Sequence, residues 1–225
     1  MLDKIFPYRF EFFFISLIII LFGGVFFPSQ FFQTIIDPIF FLVNILSGIV
    51  LLSRTKNLKR LFLFIVVILC YLLYRIKTTN GKEDSYEFIR LAIYFVFYVI
   101  VTMELIKQVW QAKVISKNVI LGLMSGYICI GLVCFFIFLT IEMLHPGSFA
   151  GVDLYDSATT TTRTDSILYF SYITLLSIGY GEITPVTLAS QKAAILTGLL
   201  GQFYMVILTA IIVGKYIAQI DKENK

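Results

Sequence analysis

Residues 174–185 read TLLSIGYGEITP. Gly179 and Gly181 flank one tyrosine, Tyr180, and Ser177 and Glu182 bracket the set. Around these residues the sequence offers no Ser/His/Asp set and no metal-ligand spacing. The chemistry they can do lies in the backbone. Glycine takes φ values that other residues avoid. Such values let successive carbonyls point to one side, which ordinary strand geometry forbids. A column of carbonyl oxygens can replace the water shell of a dehydrated cation. One chain supplies one oxygen per level, so full coordination takes several chains around an axis, and a homo-oligomer is expected.

Such a loop needs elements to hold it, and the composition says where they lie. The chain has 225 residues, 59% hydrophobic and 14% charged, against roughly 25% charged in a soluble domain. The apolar residues come in long runs, and a spanning helix needs about 20 of them. The runs fall at residues 10–27, 32–52, 58–75, 88–106, 118–143 and 188–214, with a stretch too short to cross at 166–178. The expected fold class is therefore an all-α integral membrane protein of six transmembrane helices. A re-entrant helix and loop stand between the fifth and the sixth. The third span needs Lys59, Arg60 and Arg75 to snorkel at its ends. With six spans both termini share one side. Placing them in the cytoplasm puts most basic residues there, among them Lys4, Arg54, Lys113, Lys117 and Lys215, as the positive-inside rule requires. The first run lacks a small-x-small cleavage site before Pro28 and is longer than a signal-peptide core.

Backbone that is neither helix nor barrel is tolerated at membrane depth only where protein buries it or water lines it. Residues 177–182 must therefore line a cavity. Asp165 is a suitable N-cap for a short helix over 165–176. That helix dives from outside and turns the partial negative charge of its C-terminus toward the membrane centre. The net charge of +4 is small and unclustered, so no nucleic-acid partner is expected. Cys70, Cys129 and Cys134 sit in apolar runs without metal or pairing spacing. His145, the one histidine, opens a polar loop at 145–165 and reads as incidental. Residues 107–113, KQVWQAK, read either as an interfacial helix or as the inner end of the fourth span.

At these residues the chain resembles the potassium channel superfamily. The family's filter pattern, Thr-Val-Gly-Tyr-Gly-Asp, stands here as Ser177, Ile178, Gly179, Tyr180, Gly181 and Glu182. The resemblance covers about residues 118–220. It includes DSILYFSYITLL as a pore helix and ITPVTLASQKAAILTGLLGQFYMV as the start of an inner helix. It implies a potassium-conducting homotetramer. Potassium would be bound at Ser177, Ile178, Gly179 and Tyr180, and Gly181 would shape the outer mouth. It further implies filter support from Glu182, Tyr169 and Phe170, a hinge at Gly201, and Gln202 facing the cavity or bonding between helices. The chain departs from the pattern in Ser for Thr at 177, Glu for Asp at 182, and apolar Ile173 and Leu176 behind the loop.

The expected domains follow: a four-helix transmembrane domain (1–106), a linker (107–117), a pore domain (118–220) and a short cytoplasmic tail (221–225). The fourth span holds Arg90, expected to pair with Glu87, then no basic residue until Lys107. A voltage sensor needs several regularly spaced charges, so steep voltage gating is not expected. The few residues after Gly214 are too short for a soluble gating domain, which leaves the membrane part, an unknown regulatory ligand, lipid or the filter itself. Neither a cofactor nor enzyme activity is expected, and the permeant ion is potassium. Short termini and small size point to a prokaryotic plasma membrane. The competing readings are a non-selective cation channel, a potassium transporter (which would carry four degenerate filter loops), and a membrane-embedded enzyme. The last lacks a polar cluster, since Asp37, Glu104 and Glu142 are scattered.

Overall fold

A computed structural model describes residues 8–26, 37–51, 84–112, 114–152 and 160–223. The expected third span, Cys70 and the Glu87 side chain fall outside what is described. In chain order the helices are α1 (Arg9–Phe22, followed by a 3-10 turn at Gly23–Val25), α2 (Asp37–Leu51), α3 (Asp84–Gln111), α4 (Lys117–Leu144), α5 (Thr160–Leu175) and α6 (Leu188–Glu223). Among the described residues, three helices contain stretches long and apolar enough to cross a membrane: Phe88–Gln111, Lys117–Leu144 and Leu188–Ile220. They stand where the fourth, fifth and sixth spans were expected. α1 and α2 have 14 and 15 residues.

α4 is the hub: α3, α1, α5 and α6 all pack on it. A helix that is apolar all round is a buried one, and α4 buries Cys129, Leu132, Phe135, Phe136, Phe138 and Leu139. Its Phe136 ring stacks on Tyr94 and Tyr98 of α3, at 5.9 and 5.8 Å. Polar groups can stay inside this core only when paired. The Tyr98 hydroxyl donates to Asn44 Oδ1 at 2.9 Å, and Asn44 Nδ2 donates to Ser16 Oγ at 2.8 Å. That chain of bonds stitches α3, α2 and α1 together. Lys117 Nζ pairs with Glu11 Oε1 at 2.8 Å and ties the start of α4 to α1.

Three local features differ from the expectations. α5 begins at Thr160, so Asp165 lies within the helix and not at its cap. Threonine is a weak helix former, but docking on α4 and α6 outweighs that, as tertiary packing does for most helices. α3 runs unbroken through residues 107–111, so the linker to α4 is shorter than the expected 107–117. The polar loop also holds a strand. β1 (Phe149–Ala150) pairs antiparallel with β2 (Thr184–Pro185), with Phe149 opposite Pro185 and Ala150 opposite Thr184.

Candidate functional site

The site is the chain from the end of α5 to the start of α6. The last carbonyls of a helix have no partner within it, and here the following loop folds back to satisfy them. Leu176 N–H donates to Tyr172 O at 2.8 Å and Ser177 N–H to Thr174 O at 3.0 Å. Ile178 and Gly179 both donate to Ile173 O, at 2.8 and 3.3 Å. Leu175 O accepts from the Tyr127 hydroxyl of α4 at 3.3 Å. The loop is thus fixed at its start, and the field of the helix C-terminus still points along it.

Beyond this anchor φ becomes positive at every second residue: 58° at Ser177, 56° at Gly179 and 97° at Gly181. Ile178 and Tyr180 between them stay outside that region. This alternation is what a column of like-facing carbonyls needs. A Cβ built on Gly179 or Gly181 meets nothing within 4 Å, so conformation and not space requires glycine there. Gly201 on α6 is the opposite case, because a Cβ there would collide with the Leu175 carbonyl oxygen. The helix touches the backbone at the foot of the loop.

The neighbouring candidates take distinct places. Gln202 Nε2 donates to Ser177 Oγ at 2.9 Å, so it bonds between α6 and the loop. Glu182 is half-buried, and its Oε1 is buried with no hydrogen-bond partner. Phe170 packs between Phe138 of α4 and Phe149 of β1, at 5.1 and 5.3 Å. Tyr169 is exposed at 42%, and so are Ile178 at 48% and Tyr180 at 72%. The apolar α6 side chains Ile195, Phe203 and Val206 are exposed as well.

Several supports were not foreseen from the sequence. The Tyr172 hydroxyl donates to Ile128 O at 2.8 Å and the Tyr204 hydroxyl to Leu123 O at 2.6 Å, which holds α5 and α6 to α4. After the loop, Thr187 N–H donates to Ser190 Oγ at 3.1 Å and Ser190 N–H to Thr187 Oγ1 at 3.3 Å. This reciprocal pair works as a capping box for α6. Val186 N–H and Ser190 Oγ both donate to Ser148 O, at 2.9 and 3.0 Å. With the β1–β2 pair these bonds clamp the far end of the loop to the chain after α4. The sequence signals were faint: Thr187-x-x-Ser190, and tyrosines whose polar tips need partners inside apolar helices.

Comparison with known proteins bears on this same segment. Residues 148–218 match the family model described as "Ion channel". The match makes this segment similar to an ion channel domain. No curated protein and no solved structure matches the chain. The matched segment runs from the Ser148 clamp through α5, the loop and most of α6. It holds every residue of the positive-φ alternation.

Proposed function

We propose that four copies of this chain assemble in the plasma membrane as a potassium-selective channel. The loop at 177–181 serves as its carbonyl-lined selectivity filter and α6 as its inner helix. Potassium passes down its gradient, bound in turn by oxygens of Ser177, Ile178, Gly179 and Tyr180, with Gly181 at the mouth. The carrying observation is the positive φ at 177, 179 and 181 directly beyond the end of α5. The exposed loop and the exposed apolar face of α6 support assembly, because one chain leaves both uncovered. In this reading the chain crosses the membrane six times, α5 enters as a re-entrant pore helix, and both termini are cytoplasmic. No residue acts as a catalyst.

The test is the reversal potential of purified protein in planar bilayers with mixed potassium and sodium. It should follow the potassium equilibrium potential, about 59 mV per tenfold gradient, and barium should block the current. A reversal potential indifferent to replacing potassium by sodium would make the pore a non-selective cation channel. Saturable flux that needs a second ion would make it a transporter.

A further inference from the structure

Ser177 combines two features that leave its hydroxyl poorly fixed from within. Its φ of 58° lies in the left-handed region, which side chains branched at Cβ resist most. Serine also lacks the second branch that stiffens χ1 in threonine. The residue can therefore take this backbone conformation, but nothing in it decides where its oxygen points. The outside partner is Gln202, whose Nε2 donates to Ser177 Oγ at 2.9 Å. α6 can place that amide there because the preceding residue, Gly201, allows the helix to lie against the Leu175 carbonyl.

We propose that Gln202 is a positioning residue for the innermost cation site, a role that rests on the channel reading above. An amide N–H given to Ser177 Oγ occupies one of the two lone pairs of the hydroxyl and leaves the other for an ion. The direction of the bond matters. A partner that could only accept would take the hydroxyl proton and turn the group around. Serine with an external donor thus achieves what a self-stiffened residue would achieve alone, while keeping the left-handed backbone. It also links the innermost site to the position of α6, since a shift of the helix at Gly201 carries the amide away.

The experiment is a double-mutant cycle on the full chain in planar bilayers, comparing wild type, Gln202→Met, Ser177→Ala and the double variant. The readout is the dissociation constant for barium block, because barium is a divalent ion of potassium's size that occupies the same oxygen sites. Gln202→Met should weaken block by about five-fold or more where Ser177 is present, since each of the four chains loses one neutral hydrogen bond and one such bond is worth about five-fold. On the Ser177→Ala background the same substitution should change it less than about two-fold, because the bond is already gone. Equal changes on both backgrounds, or none on either, would overturn the proposal, since a merely structural role predicts one of those patterns. If Gln202→Met does not assemble, Gln202→Asn, one methylene short of Ser177, takes its place in the cycle. A wild-type chain that carries no cation current rejects the channel reading itself, and that result is seen before any variant is measured.

Discussion

α6 is held at its two ends by different physics. On the loop side the contacts are one close steric approach and two short hydrogen bonds. Gly201 lies against the Leu175 carbonyl, Gln202 reaches Ser177, and Tyr204 reaches Leu123 O at 2.6 Å. Near its C-terminal end a cation joins the apolar packing of Leu208 and Ile211 with Val109. Lys215 Nζ donates to the carbonyls of Val109, Trp110 and Ala112 at 3.2, 2.6 and 2.8 Å. These carbonyls cluster at and just past the end of α3, where Val109 O also accepts from Ala112 N–H at 3.3 Å and a cation meets the negative end of the helix dipole. Gln219 Oε1 adds one bond, accepting from Ile115 N–H in the α3–α4 linker at 3.2 Å. Steric contacts against backbone give way abruptly, whereas a flexible ammonium over several carbonyls gives way gradually and can re-form. The loop end is built to keep one geometry. The other end rests on a flexible side chain.

The largest effects should come from alanine at two glycines, and the two should fail differently. Gly201→Ala sets a Cβ against the Leu175 backbone, which cannot yield as a side chain would. Overpacking of this kind costs about 1–3 kcal/mol per chain. Assembly and thermal stability should fall, as size-exclusion chromatography and thermal melting would record. Gly179→Ala meets no atom but strains a φ of 56°, at about 1–2 kcal/mol. Here the assembly should survive and potassium selectivity should be lost. If both variants assemble and conduct like wild type, the steric account of the loop end is wrong.

A smaller effect is expected at the other end. Lys215→Met removes the ammonium from α3 and should cost about 1–2 kcal/mol. It should change open probability several-fold and leave the potassium-to-sodium permeability ratio unchanged, with Lys215→Arg closer to wild type. Single-channel recording reads both quantities. A changed permeability ratio would mean that the two ends of α6 are not separable.

How much of this the sequence discloses follows the same division. Gly179 and Gly181 are legible because only a backbone demand explains two glycines in an apolar setting, and α3, α4 and α6 are legible from hydropathy. Lys215 reads only as a charge at the end of a span. Its partners are backbone carbonyls more than 100 positions away, and these leave no mark on the sequence. The β1–β2 pair is too short to show any periodicity. Asp165 offers a good cap, but the helix begins at Thr160 because packing, not the cap, decides it. Gln202 could be narrowed only to a polar residue on α6, since its bond to Ser177 depends on how close Gly201 lets the helix come.

The smallest effect expected is that of voltage. In the proposed six-span channel α3 would be the fourth span, where a sensor would stand, and from Phe88 to Gln111 its basic residues are Arg90 and Lys107. The other charge along it, Glu104, accepts from Gln108 Nε2 at 3.1 Å. Each charge carried across the whole membrane contributes about 2.3 kcal/mol per 100 mV. One arginine near a helix end crosses little of that field. The conductance–voltage relation of the reconstituted channel should therefore be shallow, with an equivalent gating charge below about one per chain. Neutralising the residue by Arg90→Gln should leave the curve where it was. A steep sigmoid that Arg90→Gln flattens would show that α3 moves under voltage. The Lys215 cap would then be the link that carries that motion to α6.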